Sequence, residues 1–203
     1  MKKLKLLVLS VSSLILFSCA SGYQEVEPTT QNFSSSTENN GVLLHYKYNV
    51  LSKKKYKKKA VKKGVNIAAV KLTNNSGKDL IFGKNIKLVN SNGMSLTLLS
   101  QEDTYDLIKQ KPGFSLFYLL LSGITLTTED GGSTNSYPVG LVAGTGLALG
   151  NFFGAKSANN KFDAELTDFD IIGKTIKNGE TAYGLIGLKS RNPEQINMEI
   201  STE

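Results

Sequence analysis

Apolar and polar positions alternate strictly in the stretch that starts at residue 42. Val42, Leu44, Tyr46, Tyr48 and Val50 share one parity, and Leu43, His45, Lys47 and Asn49 the other. A period of two predicts a strand with one face on a core. A second strand is predicted over Val65 to Leu72 and is stopped by Asn74-Asn75-Ser76-Gly77, a run of turn-forming residues. Short apolar runs follow at Leu80 to Phe82 and Ile86 to Val89. Asn90-Ser91-Asn92-Gly93 then turns the chain into Met94 to Leu99, as in a hairpin. Near the end, Thr175-Ile176 leads into the turn Lys177-Asn178-Gly179-Glu180, and Thr181 to Leu188 and Ile196 to Ile200 read as closing strands.

Between these blocks the pattern changes, so residues 100–168 read as a helical, glycine-rich insertion. Ser100 with Asp103 forms a capping box for a helix that stops at Pro112-Gly113. Phe114 to Leu121 is apolar on almost every side, and Gly131 to Ala155 carries no charge. At about 100° per residue, Gly140, Ala143, Gly144, Leu147, Gly150, Asn151 and Gly154 fall on one helix face. Leu141, Val142, Thr145, Leu149, Phe152 and Phe153 fall on the other. Gly140, Gly144, Gly150 and Gly154 would let another backbone approach closely, as a helix-packing face does. Segments 114–126 and 138–155 are either a hairpin that enters a membrane or buried helices packed on the strands. Both fall short of the roughly 20 residues a span needs, which favours burial.

The expected fold class is therefore mainly β with an α insertion (α+β). It lies in a folded part, residues 42–203, of ordinary single-domain size. With 40% apolar residues, the 203-residue chain can fill a core. Residues 19–41 are polar and rich in Ser and Asn, and read as a flexible tether.

The first eighteen residues have the parts of an export signal. Lys2, Lys3 and Lys5 precede an apolar run from Leu6 to Phe17, too short to span a bilayer. The run ends in Leu16-Phe17-Ser18-Cys19, and Cys19 is the one cysteine in the chain. These four residues resemble the lipobox of bacterial lipoproteins, with Phe17 bulkier than the usual occupant. The resemblance implies a signal peptide at 1–18, diacylglycerol transfer to the Cys19 sulfur, cleavage before it and acylation of the new amino group. An ordinary secretory signal with a chance cysteine is the other reading. In envelope lipoproteins, a non-acidic residue such as Ala20 after the cysteine directs the protein to the outer membrane of a Gram-negative host. Which face it would occupy, periplasmic or surface, is left open.

Two further pieces carry a resemblance to the immunoglobulin-like β-sandwich domains of bacterial lipoproteins. One is Val70-Lys71-Leu72-Thr73-Asn74-Asn75-Ser76-Gly77-Lys78. The other is Asn178-Gly179-Glu180-Thr181-Ala182-Tyr183-Gly184. They imply a sandwich with the helical insertion between early and late strands. The small face of 138–155 resembles the glycine-zipper segments of some envelope lipoproteins.

The net charge of +7 is local. Lys53, Lys54, Lys55, Lys57, Lys58, Lys59, Lys62 and Lys63 lie in one run, and without them and the N-terminal lysines the rest is mildly acidic. The run could meet anionic lipid headgroups or another anionic envelope polymer, each lysine contributing about 1 kcal/mol at such a surface. It could equally be a solvated loop or an edge hairpin whose lysines discourage aggregation. Nucleic acid is disfavoured, since only Tyr56 could stack a base and the export signal leads out of the cytoplasm.

Catalytic chemistry finds little support. His45 is the only histidine and no Gly-x-Ser-x-Gly elbow accompanies it. Asp163, Glu165, Asp168 and Asp170 lack the spacing and glycine of a calcium loop. No zinc set, cofactor motif or phosphate loop stands out. The expectation is a lipid-anchored envelope protein with a non-catalytic binding or structural role and an envelope protein partner. The alternative is a membrane-inserting or oligomerising component that uses 114–126 and 138–155.

Overall fold

A computed structural model describes residues 22–113, 119–120, 123–130 and 133–201. Cys19, the expected signal peptide at 1–18 and residues 114–118 and 121–122 of the expected segment 114–126 lie outside the described residues. The fold is a mixed α and β structure built on a multi-stranded antiparallel sheet. The chain divides into two units, one made of Tyr23–Lys109 with Asn160–Glu203 and another that contains Gln110–Asn159.

In the larger unit, β1 (Ser35–Asn39), β2 (Val42–Tyr48), β3 (Val65–Asn74), β10 (Thr181–Lys189) and β6 (Leu98–Leu99) form a sheet in the order β1-β2-β3-β10-β6. All its pairs are antiparallel. β3 is central, pairing with β2 from Val42↔Asn74 to Tyr48↔Ala68 and with β10 from Thr181↔Thr73 to Lys189↔Val65. Two short antiparallel pairs accompany it, β4 (Leu80–Ile81) with β9 (Thr175–Ile176) and β5 (Ile86–Val89) with β11 (Asn197–Ile200).

The two faces of the sheet are covered differently. Leu44, Tyr46, Ala68, Val70, Leu72, Ile186 and Leu188 share a core with Leu80, Ile86, Leu88, Ile176 and Met198 from the short pairs and with Phe82, which follows β4. The opposite parity of β3, Val65, Ile67 and Ala69, is also buried. On that side lie α1 (Lys54–Lys63), α2 (Gln101–Ile108) and the 3₁₀ turn Pro28–Thr30, which contact β3 and β10. Burial on both faces explains why the apolar run of β3 does not alternate cleanly.

Several expectations are revised. Ser35–Asn39, expected within a flexible tether, is an edge strand that joins β2 through Asn40-Gly41, both at positive φ. Ladder bonds come from the backbone, so a polar strand can form without an apolar signal. Its side chains also reach across the fold, Asn39 Nδ2 donating to the Met198 carbonyl at 2.7 Å. Met94 to Leu99 is not a full strand. Ser95 bridges Val89, and only Leu98–Leu99 pairs, with β10. The helix begun at Ser100 ends at Ile108, short of Pro112.

The smaller unit holds a hairpin absent from the sequence reading, β7 (Leu126–Asp130) with β8 (Ser133–Tyr137). Next comes α3 (Val139–Asp168), longer than the 138–155 expected, whose last nine residues belong to the larger unit. Gly140, Gly144, Ala148, Asn151 and Ala155 are buried along α3, while Gly150 and Gly154 are exposed. The buried stripe steps by four, four, three and four, which carries Gly150 and Gly154 to a neighbouring face. Among the described residues, no helix is long and apolar enough to cross a membrane.

Candidate functional site

The lysine run forms α1, not a loop or an edge hairpin. Lysine is a good helix former, and Tyr56 and Ala60, four residues apart, supply the buried face. Gly64 closes the helix in the left-handed conformation, its N–H directed to the carbonyls of Ala60 and Val61. Lys62 and Lys63 suit the negative end of the helix dipole, whereas Lys54 and Lys55 oppose the positive end. Tertiary packing of Tyr56 must offset that conflict.

That packing is an aromatic cluster. The Tyr56 ring lies 5.2 Å from Tyr23 and 5.3 Å from Phe162 of α3. Tyr23 also contacts Phe162 at 5.2 Å, and Tyr105 of α2 adds a further contact at 6.2 Å. The buried Glu165 carboxylate accepts from Tyr23 Oη, from the Val26 N–H at 2.5 Å and from the Glu27 N–H at 2.7 Å. Burial, the hydrogen bond to Glu165 and its charge push the Tyr23 phenol far above its ordinary range.

The outer face of α1 presents Lys54, Lys55, Lys57, Lys58, Lys62 and Lys63 to solvent, with Lys53 and Lys59 half-buried. Lys59 Nζ donates to the Lys109 carbonyl and ties α1 to the end of α2. At the C-terminal end of α1, Lys189 Nζ donates to the Lys63 carbonyl at 2.9 Å. The same end opens on a cleft of 460 Å³ lined by Val61 to Gly64 and by Lys189, Ser190 and Arg191. The sequence reading missed Lys189 and Arg191. Nothing local links Lys-Ser-Arg after a strand to a lysine run 126 residues earlier.

Other candidates have structural partners. Half-buried His45 sits beside Phe33. Asp163 accepts from Gln101 Nε2 at 3.3 Å, and Asp170 caps the Ile172 N–H at 2.9 Å. Asp168 lines a separate cleft of 530 Å³ with Glu25, Glu27, Glu165 and Lys161.

Lysine and arginine side chains offer N–H donors and no acceptor. The α1 surface can therefore hold anions by charge and hydrogen bonding. No family model, curated protein or solved structure matches this chain, so its own residues carry the functional reading.

Proposed function

We propose that this is a lipid-anchored cell-envelope protein with a non-catalytic binding or structural role at an anionic surface, contacted through α1. In this reading, Cys19 carries the lipid and the sheet with its companion strands is an immunoglobulin-like β-sandwich. The observation that carries it is the docking of Tyr23 on Tyr56. Only Ala20, Ser21 and Gly22 separate the lipobox cysteine from Tyr23. Four residue steps reach at most about 14 Å. A lipid on Cys19 would thus hold α1 close to headgroups instead of at the end of a long tether. Each lysine there contributes about 1 kcal/mol, and two or more acyl chains make attachment stable.

Labelled fatty acid fed to expressing cells should enter the wild-type protein and not Cys19→Ser. In vesicle flotation, the chain should bind anionic bilayers more tightly than neutral ones, with the difference lost in high salt. An anionic preference that survives the exchange of Lys54, Lys57, Lys58 and Lys62 for glutamine, or none in the wild type, would refute the role of α1.

A second reading has its own observation. Leu119, Leu120, Ile124, Tyr137, Leu141, Leu149 and Phe153 of the smaller unit are large, apolar and exposed. Such a surface fits a membrane-inserting or oligomerising component. A Cys19→Ser chain that stays monomeric and does not enter detergent micelles would eliminate it.

A further inference from the structure

We infer that the cleft between the C-terminal end of α1 and the end of β10 is a phosphate-binding site. It deepens the reading of α1 as an anion-facing helix by giving that helix one defined place where a phosphate group sits.

The lining has an unusual charge balance. Lys62 and Lys63 come from one wall, Lys189 and Arg191 from the other, and no carboxylate lines the space. Among the described residues, none of the four is paired with a carboxylate. Glu194, the nearest acid in the following loop, is engaged by Asn90 Nδ2 at 2.9 Å and Ser190 Oγ at 3.4 Å. Like charges lining one cleft repel one another. A bound anion relieves that repulsion.

The walls are held in place. Lys189 Nζ bonds the Lys63 carbonyl, which spends one of its three protons and leaves the others for a ligand. Arg191 packs at Gly64, where a Cβ would lie 3.4 Å from its Cγ. The helix dipole accounts for Lys62 and Lys63 at a C-terminus. It does not account for Arg191, which belongs to another segment. Two or three ammonium point charges with one planar guanidinium fork suit the oxygens of a phosphate. A volume of 460 Å³ admits a phosphate, a pyrophosphate or a phosphorylated headgroup.

The test uses the full chain in neutral detergent, titrated calorimetrically with inorganic pyrophosphate. Wild type should saturate. Lys189→Gln with Arg191→Gln should weaken binding at least tenfold, while Lys78→Gln with Lys84→Gln, an equal loss of charge at exposed lysines outside the cleft, should change it less than twofold. Arg191→Lys, which keeps the charge and removes the fork, should give an intermediate loss and guards against misfolding of the double variant. Equal losses in the two double variants, or no saturation in wild type, would overturn the site. The source of the phosphate follows from phosphatidylcholine vesicles containing phosphatidic acid. Displacement by pyrophosphate assigns the cleft to a lipid headgroup, and undisturbed vesicle binding assigns it to a soluble phosphate ester. Saturation by pyrophosphate with no vesicle binding would refute the envelope-surface reading alone. Vesicle binding without pyrophosphate saturation would refute the cleft alone.

Discussion

Tyr23 Oη donates to the carboxylate of Glu165, joining the start of the larger unit to a helix 142 positions further along the chain. With two backbone N–H groups bonded to the same carboxylate, Glu165 fixes residues 23–27 against α3. Glu165→Ala would strip three donors of their acceptor. Leaving buried donors unsatisfied costs about 1–3 kcal/mol, so a loss of at least about 2 kcal/mol is expected. Hydrogen exchange should accelerate selectively over residues 23–31. Unchanged protection there would show that the aromatic contacts suffice.

The same phenol makes stability fall in alkali. Burial first, then the hydrogen bond and charge of Glu165, keep Tyr23 protonated where an unfolded tyrosine ionises near pH 10. Above that pH the native state holds more protons than the unfolded chain, and stability declines by up to about 1.4 kcal/mol per pH unit. Below it, this contribution is fully present. Tyr48, pushed up to about 12 chiefly by burial, adds to the decline between pH 10 and 12. Urea unfolding at pH 9 to 11.5 should show a shallower decline for Tyr23→Phe than for wild type. Parallel curves would contradict the assignment.

Gly187 and Thr104 lock α2 onto β10. A Cβ at Gly187 would sit 2.2 Å from Thr104 Oγ1, so Gly187→Ala should cost about 1–3 kcal/mol by overpacking. Thr104→Ala should recover part of that loss in the double variant, giving a measurable coupling energy. The Thr104 hydroxyl is itself buried with no hydrogen-bond partner among the described residues. Thr104→Val should therefore be neutral or stabilising by about 1 kcal/mol. A substantial loss in thermal melting would reveal an unseen partner.

Asn74 closes β3 with all of its amide used. Nδ2 donates to the Lys78 and Ile176 carbonyls at 2.8 Å each, and Oδ1 accepts from Ser76 N and Oγ. Asn74→Asp should be worse than Asn74→Ala in chemical denaturation, because an acceptor would face two carbonyls. The reverse order would mean that the turn rearranges.

How much was legible depends on the range of the interaction that makes each feature. Ser100 caps α2 as its spacing implies, Oγ accepting the Asp103 N–H at 3.0 Å. Asn90 turns the chain as read, its Oδ1 bonding the N–H groups of Asn92 and Met94 at 3.0 Å each. Such features close within a few residues. The lysine run misled because its charge suggests solvent, while helix formation rests on Tyr56 finding Tyr23 and Phe162. Gly150 and Gly154, expected on one packing face with Gly140 and Gly144, are exposed, while the buried stripe of α3 continues through Ala148, Asn151 and Ala155.

By itself the sequence determined the local grammar of this protein: alternating strands, asparagine-glycine turns, the cap at Ser100 and the basic run. These depend on side-chain period and on bonds to near neighbours. Tertiary structure alone decided that Glu165 receives Tyr23, and that Lys189 and Arg191 line one cleft with Lys62 and Lys63. Both join residues more than a hundred positions apart: α3 brings a buried acceptor to Tyr23, and the pairing of β3 with β10 sets a charged strand end beside α1, so no neighbouring residue carries that information.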